Sequence, residues 1–136
     1  MFQIKNFTDN DDVRILDSKG AFTAVEYLRD LSVTPASAQN AYYCNEMNVR
    51  KRQVICDLSK SHVTLQAGAM QWMAGNVNAT TGIKGVGDLF GKAVRGKVTG
   101  ESAIKPEYTG DGILVLEPTY RYILLEDVSD WNGSIV

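Results

Sequence analysis

Few residues in this chain are of types and spacings that do chemistry in concert. His62 is the single histidine, and Cys44 and Cys56 are the two cysteines. Nucleophilic catalysis needs a base within reach of the nucleophile and a third group that orients the base. His62 flanked by Ser61, and Ser102 beside Glu101, supply fragments of such a set and nothing more. Zinc sites draw on several Cys and His ligands, and the two cysteines lack CxxC spacing. Asp9, Asp11 and Asp12 begin like a calcium loop, but no glycine and distal glutamate follow at the required offsets. Glu126 and Asp127 are adjacent in a candidate strand, so they point to opposite faces and do not form a proton-sharing dyad. The expectation is a chain with no catalytic, metal-binding or cofactor-binding residues.

Leu65–Lys105 is dense in glycine and invites a nucleotide reading. Val86 stands where a P-loop ending in Gly91-Lys92 requires glycine, and Ala93 stands where a hydroxyl must reach magnesium. Gly85-Val86-Gly87 lacks the third glycine of a dinucleotide fingerprint, because Phe90 holds that place.

Cations offer more. Arg50-Lys51-Arg52 is a compact basic run, and Lys92, Arg95 and Lys97 form a second group; these six are the candidate binding surface. The net charge of −2 conceals a segregation. Residues 1–46 carry four Lys/Arg against seven Asp/Glu, residues 47–105 nine against three, and residues 106–136 one against six. Mutual neutralisation of these segments, within the fold or between subunits, is the expectation. A pI near 5.3 disfavours a dedicated nucleic-acid binder. Trp72 and Trp131 read as core or subunit-interface packing before base-stacking platforms.

Period-two alternation dominates the elements that must position these groups. Ala21–Leu28 sets Phe22, Ala24 and Glu26 against Thr23, Val25 and Tyr27. Gln53–Leu58 is a second strand, in which Cys56 packs as an inert core thiol. His62–Ala67 is a third, with a bulge at Gly68, and Met70 and Trp72 resume the pattern. Val77–Ile83 is a weak strand. Ala103–Tyr108 and Ile113–Glu117 flank Thr109-Gly110-Asp111-Gly112, which reads as a hairpin turn. Pro118 ends that strand, and Tyr120–Val128 reads as a long strand. Thr34-Pro35 marks a helix start, with Ala36–Met47 following and Tyr42 and Tyr43 capping one side of the sandwich. Asp88–Arg95 is a second, two-turn helix with Leu89, Phe90 and Val94 on its apolar stripe, expected to dock on the sheet.

At 136 residues the chain is expected to form a single domain over 1–136, with no need of a metal or disulfide staple. No apolar run reaches membrane-span length and the start is unlike a secretory leader, so free thiols and a cytoplasmic setting are expected. Trp131-Asn132-Gly133-Ser134 reads as a type I′ turn that leaves only Ser134, Ile135 and Val136 to return. Trp131, Ile135 and Val136 are therefore the candidate interface, where the strand pairs with a neighbouring element or chain.

MNVRKRQV and AGAMQWMAGNV, followed by a Lys-Gly-rich helical turn and then GES, resemble the altered inheritance of mitochondria protein 24 family, most nearly a bacterial branch of it. The resemblance covers nearly the whole chain. It implies an all-β fold, an antiparallel β-sandwich like that of the tryptophan RNA-binding attenuator protein, with one or two short helices. It also implies that the chain is the first module of a longer protein or a shortened member, since members typically continue into further β repeats. It carries no catalytic residues to transfer. The reading is a non-enzymatic cytoplasmic assembly or binding module that takes no cofactor and pairs as a homo-oligomer or with further modules. The alternatives are a peripheral membrane protein using the basic amphipathic segment 88–97, and an RNA-binding module.

Overall fold

The computed structural model describes residues 3–80 and 105–131. Their order is β1 (Val13–Lys19), β2 (Phe22–Tyr27), α1 (Ala38–Glu46), β3 (Arg52–Asp57), β4 (Val63–Thr64), β5 (Met70–Thr80), β6 (Glu107–Leu116) and a 3-10 turn at Val128–Asp130. The fold is all-β with one short α-helix among the described residues. The chain divides into two compact units, one of Ile4–Ile55 with Pro118–Val136, the other of Cys56–Glu117 with Met1–Gln3.

In the first unit, β1 and β2 form an antiparallel hairpin that closes with Lys19 opposite Phe22. Gly20 takes φ +57 at the first of two loop positions, which suits a tight turn that glycine enters without steric cost. The register shifts between Ile15 and Asp17, leaving Leu16 as an extra residue. That bulge breaks the period of two, and it explains why alternation alone misses β1. β3 lies beside β2. Ala24, Val25 and Glu26 are consecutive and all buried, as are Arg52 and Gln53 at the start of β3. Both faces of these strands are covered, so the core of this unit holds charge as well as apolar groups.

The second unit contains the end of β3, β4, β5 and β6. β5 and β6 pair antiparallel from Met70 opposite Leu116 to Thr80 opposite Glu107. Cys56, Leu58, Val63, Leu65, Tyr108, Leu114 and Val115 form its core. The expected bulge at Gly68 is a turn, closed by the Ala69 N–H on the Gln66 carbonyl at 3.1 Å, with Gly68 at φ +82. Met70–Thr80 runs as one strand where two were expected.

Two expectations fail here for physical reasons. Thr109-Gly110-Asp111-Gly112 is the middle of β6, not a turn. A β-carbon at Gly110 would overlap the Asn76 carbonyl oxygen, and one at Gly112 would sit 2.5 Å from the Ala74 carbonyl oxygen. The glycines serve the close approach of two backbones, a use that composition does not separate from a turn. Tyr120–Val128 is likewise not a strand. Only Thr119 makes a bridge, opposite Arg52. The alternation of side chains survives without the ladder. The segments expected at Ile83, Asp88–Arg95 and Asn132–Val136, and the start at Ala103, lie outside the described residues.

A buried ion cluster, an open cleft and an uncovered segment

The sequence forms α1 only after a turn. The Ser37 N–H donates to the Thr34 carbonyl at 3.0 Å, and the Ser37 hydroxyl accepts from the Thr34 N–H at 3.0 Å. Ser37, not Thr34, stands at the N-cap, and its hydroxyl faces back to that turn. At the other end Asn48 takes φ +60, and the Val49 N–H reaches the Cys44 carbonyl at 2.8 Å, a left-handed stop that Asn tolerates. No residue of α1 is buried. Tyr42 and Tyr43, expected to cap a sandwich face, meet edge to face with centroids 5.6 Å apart and are exposed.

The stop that ends α1 delivers Arg50, Lys51 and Arg52 into β3, and their surroundings differ sharply. Arg52 is 2% exposed. Its guanidinium meets Glu26 Oε2 through Nε at 2.8 Å and Nη2 at 2.7 Å. Nη1 donates to the Tyr120 carbonyl at 3.0 Å, Nη2 to the Asn48 carbonyl at 3.3 Å, and the Tyr122 ring covers the cation at 4.2 Å. Arg14, opposite Glu26 across the β1–β2 hairpin, takes Oε1 at 2.5 Å. Arg50 reaches the same oxygen at 3.4 Å. Burial raises the Glu26 carboxyl, but the hydrogen bonds and charges of Arg14 and Arg52 outweigh it, and the group sits below its ordinary value. Lys51 pairs with Asp30 at 2.7 Å. The Lys51 and Ser32 hydrogen bonds hold Asp30 down at about 2. Arg50, Lys51 and Arg52 thus meet acids from the N-terminal third, which is neutralisation of the acidic and basic segments within the fold. Lys92, Arg95 and Lys97 lie outside the described residues.

Sequence reasoning missed Glu26 as the centre of this cluster. The signal was present: a carboxylate on the same strand face as Phe22 and Ala24 is buried only if a cation meets it.

Beside the cluster is an open cleft of about 470 Å3 between α1, the loop after β2 and the approach to β3. Tyr27, Val33, Ala41, Val49, Arg50 and Tyr120 are among its walls. Tyr27 donates to Gln53 Oε1 at 2.5 Å, and burial raises its phenol.

The third feature is the extended segment after Thr119. Tyr122 and Leu124, two residues apart, are 82% and 77% exposed, and Tyr120, Val128 and Trp131 are exposed too. Ile123 and Leu125 point the other way and are half-buried. Lys19 Nζ donates to the Leu125 carbonyl at 2.7 Å. Trp131 of the candidate interface is in place at the end of this run, while Ile135 and Val136 lie outside the described residues.

Elsewhere, His62 is an exposed residue preceding β4, with Nε2 3.8 Å from Glu107. Asp11 and Asp12 face Arg29. Among the described residues no three Cys, His, Asp or Glu converge as a metal-holding group, and no helix is long and apolar enough to cross a membrane. Cys56 is fully buried, and burial pushes its thiol up to about 12.

A family model described as Mitochondrial biogenesis AIM24 matches residues 46–134. No curated protein and no solved structure matches the chain.

Proposed function

The chain belongs to the Mitochondrial biogenesis AIM24 family, and on that premise we propose that it is a non-enzymatic assembly module, joining a second copy of itself through the extended segment 120–131. The observation that supports this is the row Tyr120, Tyr122 and Leu124, large apolar groups on one side of an extended chain and open to solvent. Contiguous exposed apolar surface of this kind marks contact with other protein. The backbone alongside it forms no strand with the described residues. The Tyr120 and Leu125 carbonyls are taken by Arg52 and Lys19 and the Arg121 N–H by Thr119, which leaves the stretch from Tyr122 to Leu124 for strand addition by a second copy. A two-fold arrangement lets one such segment meet its own copy. The setting in this reading is the cytoplasm, where Cys44 and Cys56 stay reduced.

The test is a light-scattering mass for the wild type and for Tyr122→Ser with Leu124→Ser, at high micromolar concentration. The expected result is a dimer or larger species for the wild type and a shift to monomer for the double variant, with unchanged circular dichroism. A monomeric wild type overturns the proposal.

A further inference from the structure

α1 is nine residues long, none of them buried. A helix of that length does not hold itself together in water and normally relies on an apolar face packed against something. Here Ala38, Ala41 and Asn45, spaced along one helix face, line the open cleft instead. Its volume of about 470 Å3 falls within the range of small-molecule sites. The opposite walls carry Tyr27, Val33 and Val49.

The charges lining the cleft are unevenly matched. Asp30 is held by Lys51 at 2.7 Å, and Arg29 is held by Asp12. Arg50 is the exception. One carboxylate, Glu26, faces three guanidiniums, and its two oxygens lie closest to Arg14 and Arg52. The contact to Arg50 is the longest of the three, at 3.4 Å. Arg50 Nε donates to Asn45 Oδ1 at 2.5 Å, and both residues line the cleft. Its Nη2 has no hydrogen-bond partner among the described residues, and no buried polar atom there lacks one, so this nitrogen opens to solvent. The result is a surplus positive charge with unused donors, at the side of an unfilled, partly aromatic cavity.

We propose that this cleft binds a small amphipathic anion, a carboxylate or phosphate head on an aromatic or apolar body, with the head on Arg50 and the body beneath α1. The head completes the charge balance that Glu26 alone leaves open, since a planar guanidinium presents paired donors to either oxyanion. The body supplies the packing that the inner face of α1 lacks. The cleft adjoins the assembly surface at Tyr120, but the proposal does not rest on that reading, because binding does not require a second copy.

The probes are phenylacetate, phenyl phosphate, benzyl alcohol and inorganic phosphate, titrated into the full chain and followed by amide NMR shifts and by hydrogen exchange of α1. Saturable binding of phenylacetate or phenyl phosphate is expected, with slowed exchange at Ala38–Glu46; whichever binds tighter identifies the head. Benzyl alcohol should bind about tenfold more weakly or worse, the worth of one charge-assisted hydrogen bond. Arg50→Gln should weaken the anions by a similar factor. Ala41→Trp, which fills the cleft and leaves every charge in place, should abolish binding and so guards against a refolded Arg50 variant. The proposal is overturned if neither aromatic anion binds saturably, if benzyl alcohol binds equally well, if Ala41→Trp still binds, or if inorganic phosphate binds as tightly as the aromatic anions, since the cleft walls would then contribute nothing.

Discussion

Glu26 and Cys56 are the two residues whose chemistry the fold changes most. Glu26 is buried among three arginines, and a buried pair loses far more when one partner is removed than it contributes while intact. Glu26→Gln leaves Arg52 charged and enclosed, so it should cost about 3–5 kcal/mol in urea unfolding. Adding Arg52→Met to that variant should recover part of the loss, because the uncompensated charge is gone. No recovery would mean that the carbonyls of Tyr120 and Asn48 already hold Arg52 well enough by themselves. Cys56 behaves differently, because burial holds its thiol neutral. The native protein should therefore react with a thiol reagent at Cys44 alone, with Cys56 following only on unfolding. Rapid labelling of both in the native state would contradict the buried placement.

At the level of elements, the β5–β6 pair depends on two glycines that look like turn formers. Gly110 has φ +122, and an added β-carbon there meets the Asn76 backbone. Gly110→Ala should cost at least about 1–3 kcal/mol from backbone strain alone, with the clash in addition. Gly20 also has positive φ but nothing within 4 Å of an added β-carbon. Gly20→Asn should therefore be nearly neutral, since Asn tolerates the left-handed region. Thermal unfolding of the two variants separates a close approach from a simple turn, and equal losses would refute the distinction. α1 is the opposite case, an element whose ends are well defined by Ser37 and Asn48 but whose body rests on no core.

For the molecule as a whole, these groups set the dependence of stability on pH. The folded Glu26 and Asp30 carboxyls lie below their ordinary values of 4.5 and 3.8, Asp30 at about 2. Their contribution is complete above the ordinary values and is lost as pH falls through the folded ones. Cys56, Tyr27 and Lys51 are raised from 9.0, 10.0 and 10.5, Cys56 to about 12. Their contribution is complete below those ordinary values and is lost as pH rises through the folded ones. Urea unfolding should therefore give a plateau between about pH 5 and pH 9, falling on both sides. Cys56→Ala should remove the first part of the alkaline fall, near pH 9–10, and leave the acid limb unchanged. The later part, from Tyr27 and Lys51, should remain, and a fall that still begins near pH 9 in that variant would contradict the assignment to Cys56.

Hydrophobic period is a local property, and the sequence by itself determined what is local: strands expected at Ala21–Leu28 and Gln53–Leu58 and found at Phe22–Tyr27 and Arg52–Asp57, a helix expected at Ala36–Met47 and found at Ala38–Glu46, Cys56 in the core, and membership of a β-rich family. The pairing of those segments is not local. Gly110 and Gly112 have one composition whether they turn a hairpin or admit the backbone of Ala74 and Asn76, and only the neighbouring strand decides between them. Tyr120–Val128 keeps its alternation yet forms no strand, because a strand also needs a partner that the alternation does not name. The same holds for charge. Arg50, Lys51 and Arg52 are three adjacent cations in the sequence, and the tertiary structure gives them three roles. Arg52 is enclosed with Glu26, Lys51 is paired with Asp30, and Arg50 opens on a cleft: side chains of an extended chain alternate, so Arg50 and Arg52 share the Glu26 side while Lys51 leaves on the other, and depth of burial separates the two arginines.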